Sequence, residues 1–291
     1  MQLRHQKFDE AKHNLSRLQS RNKDGLDIDI DLDKAVALMK VTVAQEKEAG
    51  TGTRYIDCFK GNDLRRTLTA SAVWAMQILS GTGLRVYSTY FYQQAGLATT
   101  QSFNMSLIQY ALAVFGVWIA WAMLPHFGRR TLYLAGLSGL ATTLLIIGGM
   151  GCVNNPSSAL SWAIGSMLLV YTVIYDITVG PICYSLVSEI PSSRLRSKSI
   201  ALARITYQLF NILFGTLTPY MLNPSQWALG AKTGFVFAGT CLISLTATIF
   251  FVPETKDRSY AELNILFREK VPAWRFKTTE VDIATGSVRS R

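Results

Sequence analysis

The sequence predicts an all-α membrane protein, six transmembrane helices preceded by cytosolic linker helices, and three observations carry that expectation. Apolar runs of about 20 residues, enough at ~1.5 Å per residue to cross a hydrocarbon core of ~30 Å, recur from residue 68 onward. Charge is segregated, with 13 Lys/Arg and 11 Asp/Glu in residues 1–67 and long uncharged windows after them. The connectors between the apolar runs alternate between uncharged and basic.

Residues 1–67 read as a cytosolic helical linker. Phe8, Ala11, Leu15 and Leu18 recur at helical spacing, residues 33–48 are strong helix formers, and no secretory signal precedes them. The intervening GLDIDIDLD fails as a calcium loop: counted from Asp27, Leu32 stands where the turn needs glycine and Leu38 where a bidentate glutamate is needed. A solvated acidic connector remains.

The bundle, residues 68–252, divides into spans at about 68–92, 103–124, 131–151, 159–188, 199–222 and 232–252. QQAGLATTQ, CVNNPSSA and NPSQWALGA carry no Lys or Arg, whereas PHFGRR and EIPSSRLRSK are basic. The positive-inside rule therefore places the basic connectors, both termini and the tail, residues 253–291, in the cytosol. The net charge of +10 follows largely from this sidedness and the basic tail, so no nucleic-acid partner is needed, and no aromatic-basic module suggests one.

Catalytic and metal chemistry find no support. Cys58, Cys152, Cys183 and Cys241 are far apart and read as small hydrophobes, and His5, His13 and His126 share no ligand spacing. Gly81-Thr82-Gly83 lacks the third glycine of a dinucleotide fingerprint, and no nucleophile-elbow, zinc-protease or phosphate-loop motif is present. No cofactor is implied.

Polar residues inside the spans are the informative ones, since a charge in lipid is costly unless it faces a cavity or a partner. Counting from the basic ends places Gln77 ~16 Å deep, and Asp176 and Asn211 ~19 Å deep. Three side chains from three helices thus share a level near the midplane, where secondary transporters hold substrate. Arg204, Tyr207, Gln208 and Asn211 form one polar stripe and Gln77, Gly81, Arg85 and Ser88 another. Inter-helix hydrogen bonding without a ligand is the plain alternative. Arg85 is expected to snorkel to the far headgroups, and Arg204 either to do so on the near side or to pair with a buried carboxylate. In IYDITVGPICY, Pro181 removes the partner of the Ile177 carbonyl and Gly180 lets the backbone bend or another helix approach, beside Asp176.

The pieces WAMQILSGTGLRVYSTYFYQQAGL, PHFGRRTLYLAGL, GPICYSLVSEIPSSRLRSKS, NPSQWALGAKTGFVFAG and PETKDRSYAELNILF resemble, in order, the signatures of the C-terminal half of sugar porters of the major facilitator superfamily. The wording is nearest to fungal α-glucoside (maltose-type) proton symporters, and LRHQKFDEAKHNLSRLQS resembles the stretch after their sixth helix. The resemblance implies sugar contacts at Gln77, at Thr82 (where the family has asparagine), at Asp176 and at Tyr184 (where it has tryptophan). Met76 replaces the first of the family's paired glutamines, which weakens the case for simple hexose recognition. It also implies a cytosolic charge network of Arg129, Arg130, Glu189, Arg194 and Arg196, whose pairs would break on inward opening. The family's acid before GRR is Pro125 here, and the glycine of its tail motif is Asp257.

Such porters have two six-helix halves with the site between them, and the residue that takes the proton would lie in the N-terminal half. The expected function is carbohydrate transport, α-glucoside:proton symport, with this chain as the C-terminal half. Its partners would be a sugar, a proton, the lipid bilayer, and the missing half or another copy, in the plasma membrane. The rival expectation is a non-transporting six-helix remnant or interaction protein that packs with a full-length relative.

Overall fold

The structure, a computed structural model, describes residues 53–153, 157–282 and 287–290 together with the helical position Ala37. The chain divides into two compact units, Met1–Asp57 with Ser193–Leu195, and Cys58–Ser192 with Arg196–Arg291. In the first unit the Arg54 backbone N–H donates to Asp57 Oδ2 at 2.8 Å, and Arg194 is exposed in a turn. The expected linker helices otherwise lie outside the described residues.

The second unit holds the bundle. Its elements are α1 (Gly61–Gln77), a π-helical turn (Ile78–Thr82), α2 (Gly83–Val86), α3 (Ser88–Gln94), α4 (Thr99–Met123), α5 (Arg129–Met150), α6 (Ser158–Ile177), α7 (Val179–Glu189), α8 (Arg196–Leu222), α9 (Thr233–Phe251) and α10 (Tyr260–Arg268). Among the described residues, five helical stretches are long and apolar enough to cross a membrane: Thr99–Met123, Arg129–Met150, Ser158–Glu189, Arg196–Leu222 and Gly230–Phe251. Each matches an expected span to within a few residues. The expected first span departs, because 61–94 is broken rather than continuous.

Two breaks shape the bundle. Gly81, at φ 106°, leaves helical geometry inside the π turn, and Tyr87 interrupts the helix again at φ −96°, ψ 28°. Thr178, at φ −119°, ψ −87°, separates α6 from α7, three residues before Pro181. In an apolar surround, backbone carbonyls at and around such breaks need partners. Thr240 Oγ1 donates to the Leu79 carbonyl (2.6 Å), Tyr171 OH to Ser80 (3.0 Å), Gln109 Nε2 to Arg85 (3.2 Å) and Tyr87 OH to Gly215 (2.9 Å). Side chains of α9, α6 and α4 thereby hold the broken helix in place.

Tyr92, Tyr133, Tyr171, Phe91 and Phe237 are fully buried at the centre. Around them α9 packs on α5, α8 on α1, and α6 between α4 and α5. α8 stands at an edge, its Ile205, Leu209, Ile212 and Leu213 exposed. Beyond α9, a Ser259–Glu262 capping box starts α10. The Arg258 guanidinium closes the tail by donating to the carbonyls of Phe276 (3.0 Å) and Thr279 (2.6 Å) while pairing with Glu262 at 3.7 Å. An antiparallel hairpin, β1 (Thr279–Asp282) and β2 (Ser287–Ser290), departs from the all-helical expectation. β-Branched Thr279, Val281 and Val288 favour that extended form.

Gly81 offers a direct test of the first break. A Cβ there would lie 3.2 Å from Leu144 Cδ1 and 3.3 Å from the Tyr171 hydroxyl, on a backbone that L-residues avoid. Gly81→Ala should lower stability by about 1–2 kcal/mol, read as a reduced thermal midpoint in detergent. Gly239→Ala, with no atom within 4 Å of its Cβ, should not.

Candidate functional site

A cavity of about 540 Å³ opens where the two breaks face each other. Asp176 enters it from the last turn of α6 and Arg85 from the short α2. Arg85 Nη1 lies 3.3 Å from Asp176 Oδ2 and 3.4 Å from Oδ1, and the guanidinium stacks over the Tyr175 ring at 4.7 Å. The expectation that Arg85 snorkels to the headgroups is corrected: the bends on either side of α2 bring it back to an inward carboxylate. Tyr92 OH holds Gln109 Oε1 at 2.9 Å, so Gln109 keeps its amide on the Arg85 carbonyl.

Gln77, 5% exposed, is the last residue of α1 before the π turn. Its Nε2 makes a long 3.5 Å contact to the Gly180 carbonyl, while its Oε1 is buried with no protein partner among the described residues. The Arg85 Nε and Trp74 Nε1 hydrogens are likewise buried and unpartnered. Tyr184 and Tyr207, both lining the cavity, meet Trp74 edge-on at centroid distances of 6.0 and 5.7 Å. The wall therefore presents a carboxylate, a guanidinium, an amide and aromatic faces. That is the chemistry of a site for a hydroxyl-rich, uncharged molecule with apolar C–H faces.

Of the residues singled out from sequence, the fold brings together Gln77, Asp176 and Tyr184. Thr82 lies outside the cavity lining, buried with its hydroxyl turned back to the Ile78 carbonyl at 3.4 Å. Asn211 is exposed on α8 and also outside the lining; only Tyr207 of its stripe reaches the cavity. Arg204 pairs with no carboxylate among the described residues and instead stacks over Trp74 (4.9 Å) and Tyr207 (4.5 Å). Ser88 leaves its stripe to meet Ser106 at 3.3 Å, because the kinks rotate successive pieces of that helix.

At the basic end, Arg129 Nη2 lies 3.5 Å from Glu189 Oε1, and the Thr255 hydroxyl donates to Glu189 Oε2. Arg130 pairs with no acid side chain among the described residues; its Nη2 donates to the Ile249 carbonyl at 2.8 Å. Arg196 stacks on Tyr260 at 4.1 Å. Glu254 was missed by sequence reasoning and is central here. Its buried carboxylate accepts the backbone N–H of Arg130 (3.3 Å), Thr131 (3.4 Å), Thr255 (3.2 Å) and Lys256 (3.2 Å). It caps the N-terminus of α5 from a distant part of the chain, and a Cβ on Gly128 would overlap it. The sequence signal was a helix opening on Gly-Arg-Arg with no capping side chain of its own.

The family model for sugar (and other) transporters matches residues 2–267. The chain belongs to that family. It is 41% identical over 283 residues to the general alpha-glucoside permease of Saccharomyces cerevisiae, covering 96% of this chain and 45% of the permease. It is 40% identical over 245 residues to a maltose permease of the same yeast, covering 84% and 40% respectively. Among solved structures, the proton:xylose symporter XylE bound to 6-bromo-6-deoxy-D-glucose superposes with a TM-score of 0.70 at 20% identity, over 91% of this chain and 53% of XylE. The chain thus spans about half the length of the proteins it matches, and it corresponds to the C-terminal half of a major facilitator sugar porter. Like its relatives it is an integral membrane protein.

Removing one member of the largely buried Arg85–Asp176 pair leaves the other uncompensated. Arg85→Met should cost about 3 kcal/mol of stability, and pairing it with Asp176→Leu should recover most of that loss, measured by thermal unfolding of the two single variants and the double variant. Glu254→Ala should cost about 1–2 kcal/mol through the lost cap, whereas Lys256→Ala, whose Nζ reaches the His126 carbonyl and, at 3.9 Å, the exposed Asp257 carboxylate, should cost less.

Proposed function

We propose that this chain forms the C-terminal wall of a carbohydrate pathway for α-glucosides of the maltose type, moved together with a proton. The observation that carries the reading is Gln77 Oε1, a buried acceptor with no protein partner among the described residues, at the edge of the cavity that also holds Asp176 and Tyr184. A buried unpaired acceptor costs about 1–3 kcal/mol, and a sugar hydroxyl donating to it would offset that cost. Asp176 accepts further hydroxyls, and Tyr184, 54% exposed, offers its ring to a pyranose face. The names of the yeast permeases and of the xylose symporter support the substrate class and the coupling.

In this reading 61–94 completes a six-span half, and the basic end with both termini faces the cytosol of a cell whose plasma membrane holds the porter. The Arg129–Glu189 pair, with Thr255 and Glu254, closes that end in the outward-facing state and parts on inward opening. Arg130 and Arg196 add cytosolic charge at that end. The proton-accepting acid belongs to a partner half, and Arg204, exposed beside Trp74 and Tyr207, is placed to face it.

Maltose binding to the reconstituted chain, followed by intrinsic tryptophan fluorescence, tests the site. Gln77→Leu should weaken binding about tenfold, the ~1.4 kcal/mol of one hydrogen bond, and Tyr184→Ala should weaken it while Tyr184→Trp retains it. Asn211→Leu, outside the cavity, should leave affinity unchanged. Unaltered affinity in Gln77→Leu with altered stability would favour the packing remnant instead.

A further inference from the structure

A second cavity, of about 480 Å³, lies at the basic end of the bundle between the first turns of α1 and the last residue of α9. Leu64, Leu68, Ala72 and Phe251 make its walls almost wholly apolar, and Leu68 and Phe251 are 55% and 61% exposed. Leu64 to Ala72 spans ~12 Å along the helix, so the groove runs lengthwise down α1. One cation stands at it, Arg65.

Arg65 lies just before the apolar run that starts at residue 68. Its Nη2 donates to the Val271 carbonyl at 3.0 Å, and its guanidinium sits 5.5 Å from the Phe267 ring centroid. Among the described residues no carboxylate pairs with it, although five N–H donors are available. The adjacent Arg66 is served by side-chain and backbone acceptors from elsewhere in the unit: Ile190 O accepts from Nε at 2.7 Å, and Asn264 accepts from Nη1.

We propose that this groove binds an anionic phospholipid of the leaflet at the basic end. One acyl chain lies along Leu64, Leu68 and Ala72 against Phe251, and the acidic headgroup meets Arg65. An apolar trough open to lipid takes an acyl chain of any phospholipid, so the half-buried cation without a counter-ion selects among headgroups. The site is separate from the sugar cavity and does not rest on the transport reading.

Native mass spectrometry of the full chain released from detergent with equal phosphatidylserine and phosphatidylcholine tests it. The expected result is several-fold greater retention of phosphatidylserine, lost in Arg65→Gln and kept in Arg65→Lys. Leu68→Asn, at an exposed position, should lower retention of both lipids. Circular dichroism identifies any variant that fails to fold, and the preference of the unaltered chain stands as a test without them. Equal retention of the two lipids would overturn the proposal, as would an Arg65→Gln variant that is folded and keeps the preference. A thermal shift with inorganic phosphate as large as that with phosphatidylserine would show that free anion suffices and would likewise overturn it.

Discussion

A backbone polar group released inside a bilayer has no water to turn to, and this constraint organises the bundle. The 61–94 helix is interrupted at Gly81 and again at Tyr87. Thr240, Tyr171 and Gln109, from three different helices, donate to the carbonyls of Leu79, Ser80 and Arg85. Each bond ties a kink to a neighbour, so the irregular segment is cross-linked to three other helices. The cavity exists because the break in 61–94 lies opposite the break at Thr178.

The same economy explains the charges. Arg85 reaches Asp176 because the chain bends between them, and Tyr175 gives the guanidinium an aromatic face. Polar atoms left over at this level, on Gln77 and Arg85, belong to residues that line the cavity. A polar cavity held among apolar helices needs such groups, and a rigid frame keeps them from satisfying one another.

Much of this was legible in the sequence. Uninterrupted apolar runs locate the spans to within a few residues, because hydropathy is a property of each segment alone. Gln77 and Asp176 were expected from depth along a helix, which is simple arithmetic, and Tyr184 from the family resemblance; all three line the cavity. Thr82, placed in the site by the resemblance, and Asn211, placed there by spacing, lie outside the cavity lining, since neither signal reports a rotation at Gly81 or that α8 stands at the edge. Arg85 was assigned to the headgroups because its partner sits 91 residues away. Glu254 escaped for the same reason: capping from a distance leaves no local pattern, only the want of a cap at Gly128.

That distant cap has a consequence for biogenesis. α5 emerges from the ribosome more than a hundred residues before Glu254, so its first turn must enter the membrane with its positive pole bare. Only when the end of α9 has been threaded does the carboxylate arrive. The segment that follows α9 therefore acts as a keystone, and nascent chains that stall before it should be the ones the quality-control machinery finds incomplete.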